Sequence, residues 1–352
     1  MGAACQPGAW GGGVASVRLG RTSSGGGVAR ARGAHNSTLQ GRGLYHGGRD
    51  LYHGGRDLYH RGRGLGRKQA ETHGGVGCQQ TQSAMAFLQV FGRVRSIVIG
   101  MVHMKALPGT PGCRLPVAQI VEEACQEAEI YKNAGVDGLI VENMHDIPYT
   151  LHIGPEITAV MTKVCSAVRQ TCPRLPLGVQ ILSCGNKQAL AVALAAGLDF
   201  IRAEGFVFSH VADEGIVNAC AGELLRYRKL IGADHIQIFA DIKKKHSSHS
   251  LTADVSVSET AKAAEFFLAD GVILTGVSTG EEADPRDLQE VQRSVKIPVL
   301  IGSGVTLDNV EKYIEANALI VGSHFKKDGY WKNDVVSDKV ISFMDQARKL
   351  RL

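Results

Sequence analysis

Charged and hydrogen-bonding residues recur in this sequence at one kind of place, the C-terminal end of a short apolar run. His103 follows Ser96–Val102, and Glu142-Asn143 close Asp137–Glu142. Gln180 sits near the end of Leu177–Leu182, Arg202 and Glu204 at the end of Asp199–Ala203, and Asp241 just after Ile236–Ala240. A histidine titrates near neutrality and can act as acid or base. Buried carboxylates are costly unless paired, protonated or bound to a cation. Glu142, Glu204 and Asp241 could therefore hold a hard cation such as Mg²⁺, or pair with Arg202, Lys243 and Lys245. The run Lys243-Lys244-Lys245-His246 follows Asp241 directly, so a lysine can turn inward there, with His246 and His249 closing over a ligand.

A second chemistry is written in glycines. In Pro298–Ser323, Gly302-Ser303-Gly304 and Gly322-Ser323 each follow an apolar run. Small residues let backbone N–H groups approach an anion, and a helix N-terminus adds a favourable dipole. Thr306 is the expected N-cap of a helix carrying Val310, Tyr313 and Ile314. Lys326 and Lys327 would add positive charge beside a phosphate.

These positions need a scaffold that brings strand ends together. Short apolar strands alternate with amphipathic helices at about Pro116–Ala134, Pro155–Gln170, Lys187–Ala196, Ile216–Ile231, Val257–Ala269, Pro285–Ser294 and Val335–Arg348. Gly271–Leu274, Pro298–Ile301 and Ala318–Val321 complete the strands. Eight such units predict a closed (β/α)8 TIM barrel over residues 91–352, whose chemistry sits at the C-terminal strand ends. The turns after strands seven and eight are that fold's usual phosphate site. An open doubly wound sheet is the alternative, weakened by the lack of GxGxxG after the first strand.

Residues 1–90 are different in kind. They carry 22 of the 43 glycines and a net charge of +8, leaving the remainder at −3. LYHGGRD repeats at Leu44–Asp50 and Leu51–Asp57 and degenerates at Leu58–Gly64. Such Gly-rich heptads hold neither a helix nor a coiled coil, so a disordered Gly/Arg-rich tail is expected. An Arg-rich, acid-poor start can be an organelle signal, which sets a mitochondrial placement beside a cytoplasmic one. Met85 as the start of translation would remove the tail altogether. The eight cysteines are scattered without C-x-x-C spacing, which favours neither zinc nor a disulfide framework. No run reaches the roughly 18 apolar residues of a membrane span. The slightly acidic body argues against nucleic acid as its partner, RNA binding by the tail being a weaker reading. Self-association into a homo-oligomer stays open.

The segments GMVHMKALPGTP, AGVDGLIVENMHDIPY, LGVQIL, AGLDFIRAE, ADIKKKH, LIGSGVT and ALIVGSHFKKDG together resemble the BtpA family, including its SgcQ-like bacterial members. The resemblance spans about Ser96 to Met344 and implies a ribulose-phosphate-binding type of barrel. It aligns His103, Glu142-Asn143, Asp146, Gln180, Arg202, Asp241, Lys245-His246, Gly302, Ser303, Gly304, Gly322 and Ser323 with family motifs. It implies photosystem I biogenesis for cyanobacterial members and a nucleosidase or sugar-nucleotide role for SgcQ-like ones. The expected function is an enzyme on a phosphorylated sugar or nucleoside-type molecule. His103, Glu142 and Asp241 would do acid–base work, and Lys245 and His246 would close the site. Asn143, Gln180, Arg202 and the glycine turns would bind ligand. The alternative is a non-catalytic assembly factor that keeps the anion site.

Overall fold

The computed structural model describes residues 75–351. The tail's heptad repeats and most of its glycines lie outside that range. Helix α1 (Gly75–Phe91) leads into β1 (Ile97–His103), α2 (Val117–Ala134), β2 (Gly138–Glu142), α3 (Pro155–Thr171), β3 (Leu177–Gln180), α4 (Asn186–Ala196) and β4 (Phe200–Ala203). An excursion then forms β5 (His210–Ala212) and β6 (Gly215–Val217), followed by α5 (Ala221–Leu230) and β7 (Gln237–Asp241). The chain continues through β8 (Ser247–Ser248), α6 (Val257–Phe266), β9 (Gly271–Leu274), α7 (Pro285–Ser294), β10 (Val299–Ile301), β11 (Ala318–Val321) and α8 (Ser337–Leu350).

Eight parallel strands close in the order β1-β11-β10-β9-β7-β4-β3-β2. The expected TIM barrel is what the chain forms. Helix stops follow local chemistry: Gly135 ends α2 at φ 80°, a left-handed geometry that suits glycine. Ser256 and Glu259 form a reciprocal capping box on α6, and Asp284 caps α7. Tyr131 of α2, fully buried, donates to the Met101 carbonyl at 3.0 Å and ties helix to barrel.

Side-chain alternation divides the core in two. Val98, Val102, Leu139, Val141, Val179 and Ile201 face the helices. Ile97, Ile99, Met101, Ile140, Phe200 and Phe239 fill the barrel's interior. Carried one step further, the same period of two turns His103, Glu142, Gln180, Arg202 and Asp241 inward as the topmost layer. Register confirms the row, since His103 pairs with Glu142 and Glu142 with Gln180.

Three details depart from the sequence reading. The helix expected after Thr306 is only a 3₁₀ turn, Val310–Tyr313. Asn309 takes over this loop: its Oδ1 accepts from the Thr306 N–H at 2.8 Å and its amide donates to the Gly304 carbonyl at 2.8 Å. The helix expected to start at Ile216 starts at Ala221, because β5 and β6 pair as a hairpin and β8 joins them in a small sheet. Helix α1 falls within the expected tail, yet Phe87 and Phe91 are buried in the barrel-interior cluster with Phe200 and Phe239.

Candidate active site

The strand ends hold two cavities that share Glu142, Arg202, Lys245 and Thr279. The smaller, about 140 Å³, is enclosed by the two glycine turns. The larger, about 590 Å³, extends over β2, β3, β4 and β7.

Around the small cavity, Gly302–Gly304 and Gly322-Ser323 do come together. The N–H groups of Ser303, Gly304 and Val305, and of Ser323 and His324, have no acceptor among the described residues. The Ser303 hydroxyl is spent on structure: it accepts from the Gly276 N–H at 2.8 Å and donates to the Glu281 carbonyl at 3.0 Å. Gly304 sits at φ +70°, and a Cβ there would lie 2.2 Å from the Glu281 carbonyl oxygen. Glycine is needed for both the turn and the close approach. The expected phosphate lysine is elsewhere. Lys326 is buried and paired with Glu127 of α2, and Lys327 is exposed. A buried ammonium takes the nearest carboxylate, and here that lies behind the barrel wall.

The lysine that does line both cavities, beside Arg202, is Lys245. Its ammonium has no hydrogen-bond or ion-pair partner among the described residues, while its own N–H donates to the Thr275 hydroxyl at 3.0 Å. Burial, helped by the Arg202 guanidinium, lowers it to about 8. Its neighbours in the basic run take other partners. Lys243 donates to the Thr252 carbonyl at 2.8 Å, and Lys244 pairs with Glu204 at 3.1 Å. His246 is exposed and its Nε2 meets the Thr279 hydroxyl at 2.8 Å and the Thr279 N–H at 3.2 Å. It latches the loop after β7 to the loop after β9.

The carboxylates have sorted themselves by partner. Asp241 receives Arg202 through two nitrogens, Nε at 3.0 Å and Nη2 at 2.9 Å. Burial still pushes its carboxyl up, against the pull of Arg202. Burial would also raise Glu204, but Lys244 and the Cys184 N–H at 3.0 Å outweigh it and hold the carboxyl below its usual range. Ion pairing, the second alternative, holds for Asp241 with the expected Arg202 and for Glu204 with Lys244, whereas Lys243 and Lys245 pair with no carboxylate among the described residues. Among the described residues no three His, Cys, Asp or Glu side chains are grouped so as to hold a metal ion.

Glu142 is the carboxylate left without a direct cation. Burial pushes it up to about 7, only partly opposed by Arg202 and Lys245. Its Oε2 lies 3.6 Å from His103 Nε2. His103 Nδ1 faces the Trp331 carbonyl at 3.2 Å, an acceptor only, so the ring proton is on Nδ1 and Nε2 is bare. Burial, then the charge of Lys326, holds His103 well below its ordinary range and keeps it neutral.

Two expected ligand residues part company. Asn143 is used internally: it donates to Asp146 at 2.8 Å and to the Leu182 carbonyl at 3.1 Å, and accepts from the Leu182 N–H at 2.7 Å. It positions the loop after β3. Gln180 is 3% exposed and its Oε1 has no partner among the described residues. Trp331, Thr279 and the hairpin acid Glu214 also line the large cavity. Sequence reasoning missed them because they lie on loops, where no apolar period marks direction.

Comparison with known proteins places the chain. The BtpA family model matches residues 94–349. An uncharacterized mitochondrial protein of Caenorhabditis elegans is 48% identical over 262 residues, covering 73% of this chain and 95% of its own. The photosystem I biogenesis protein BtpA of Synechocystis is 33% identical over 264 residues, covering 74% and 91%. Among solved structures, Mycobacterium tuberculosis tryptophan synthase matches 76% of this chain and 98% of its own at 15% identity and a TM-score of 0.49, too distant to speak of chemistry. From the family match and these identities, the chain belongs to the BtpA family.

Proposed function

We propose that this protein is an enzyme acting on a phosphorylated sugar or nucleoside-type molecule. The observation that carries this reading is the small cavity. Two glycine turns leave backbone N–H groups without acceptors around it, and the unpaired Lys245 ammonium enters the same space. Unpartnered donors around one cavity suit a phosphate better than a neutral group. The reacting part of the ligand then falls under Glu142, which both cavities share.

A carboxyl poised near 7 is matched to proton transfer at neutral pH. Glu142 would give its proton to the leaving group as the bond to a sugar carbon breaks, ionised Glu204 would stabilise the positive charge that develops, and water or an acceptor hydroxyl would bond to that carbon and return a proton to Glu142. That is nucleosidase or glycosyl-transfer chemistry. Asp241, held by Arg202, serves as a fixed charge rather than a proton carrier. The worm relative's name supports a mitochondrial over a cytoplasmic placement.

The test is a thermal-shift screen of the full chain against phosphorylated sugars and nucleosides and their unphosphorylated parents. A ligand that binds the folded state raises Tm. The expected result is a shift from phosphorylated members alone, reduced in Lys245→Met. No shift from any phosphorylated compound overturns the reading. The name of the Synechocystis relative favours a second reading, an assembly factor without turnover. Ligand binding with no product formed under any condition would support it.

A further inference from the structure

The barrel's strand order sets β10 opposite β3, and β11 opposite β4 with its β5–β6 hairpin. The glycine turns therefore face Gln180 and the hairpin across the mouth. The two sides differ in hydrogen-bonding sense. The glycine side presents donors, as above. The far side presents acceptors that have nothing to accept from.

Two such acceptors line the large cavity. Gln180 Oε1, on a side chain 3% exposed, is buried and unpartnered among the described residues. Glu214 Oε2, at the turn of the hairpin, is likewise buried and unpartnered. Leaving such an oxygen unsatisfied costs about 1–3 kcal/mol, more for a charged group. Lys244, the lysine nearest this side, already bonds Glu204. Neither Glu214 nor Asp213 has an ion-pair partner among the described residues, and both line the cavity. The mouth is thus polar in the electrical sense, with Lys245 and free N–H groups at one end and uncompensated carboxylates at the other.

We propose that the ligand is dipolar: a phosphomonoester whose other end carries an amino group, received by Gln180 Oε1 and the Glu214 carboxylate. An ammonium supplies N–H donors to both orphaned oxygens and cancels the hairpin's charge. A hydroxyl of the same size supplies one donor and no charge. This assignment rests on the phosphate reading for the near end, and names the chemistry of the far end.

The experiment compares matched pairs with the full chain by calorimetry and thermal shift. The pairs are glucosamine 6-phosphate against glucose 6-phosphate, and phosphoethanolamine against glycerol 1-phosphate, with inorganic phosphate and glucosamine as single-end probes. The expected result is at least fivefold tighter binding of the aminated member in one pair. In Glu214→Gln that preference disappears while the response to inorganic phosphate is unchanged. Gln180→Leu gives the same pattern more weakly. Equal binding within both pairs, or no response to any probe, overturns the proposal. An amine preference that survives without any response to inorganic phosphate supports the far-end assignment and counts against the phosphate cradle.

Discussion

Glu142 Oε2 lies 3.6 Å from a bare His103 Nε2, and the proton in this pair belongs to the glutamic acid. Burial drives the two groups toward their neutral forms from opposite sides, up for the carboxyl and down for the imidazole. The family resemblance aligned both residues with its motifs, and the structure divides their work. Under the proposed function Glu142 would carry the proton and His103 would orient it.

Turnover should follow from that division. In Glu142→Gln, turnover falls by about 10²–10⁴-fold, the usual worth of a positioned acid or base. The wild-type rate inflects near pH 7, falling above it if Glu142 acts as the acid. In His103→Ala the inflection moves to lower pH, because water enters and relieves the burial that raises Glu142. A profile unchanged in His103→Ala would separate the two residues.

Stability should carry the same signature without any substrate. The folded state keeps the Glu142 proton to about 7, whereas an unfolded glutamate releases it near 4.5. Between those values the native state binds more protons, so stability falls as pH rises. The contribution is about 3 kcal/mol across that window. Denaturant unfolding from pH 4.5 to 7.5 should show the decline, and Glu142→Gln should flatten it. Parallel slopes in the two proteins would place Glu142 in a wetter setting than its 6% exposure indicates.

Asp241→Asn should act on folding first. Arg202 is 4% exposed, and its charge is met by Asp241 through Nε and Nη2. Removing one member of a buried pair costs about 3–5 kcal/mol, since the other charge is left behind. At about 2 °C per kcal/mol, Tm falls by roughly 6 °C or more. Arg202→Met combined with Asp241→Leu recovers most of that loss, because the pair taken together contributes little. A double variant as unstable as the single would mean that Arg202 has a further essential contact.

Much of this architecture was legible in the residues. Strand ends and glycine turns carry strong local signals, because a period of two and a positive φ each restrict residue choice sharply. What resists reading is direction within a loop. Lys243, Lys244, Lys245 and His246 are four consecutive basic residues, and each turns to a different place. Nothing in their order says that the third lines the two cavities. Lys326 shows the same limit, since its partner Glu127 is 199 residues away in sequence. The helix expected after Thr306 failed for a related reason. Asn309 accepts from the Thr306 N–H as a capping box would, but its amide is also tied back to the Gly304 carbonyl.

The opposite end of the barrel makes a separate prediction. Phe87 of α1 is fully buried, 4.7 Å from Phe91 and 5.9 Å from Phe239 between ring centroids. These rings close the barrel below the interior layer, where strand starts would otherwise meet water. The sequence reading placed Phe87 in the Gly/Arg-rich tail because the glycines before it mask a single turn of useful pattern. Phe87→Ala removes a large ring from a packed cluster and should cost about 3–5 kcal/mol. Phe87→Leu keeps most of the volume and should cost much less. Both are far from Glu142 in the fold, so ligand binding by the folded fraction should be unchanged. Denaturant midpoints for the two variants decide the matter: if Phe87→Ala unfolds where the wild type does, α1 is not a structural closure of the barrel.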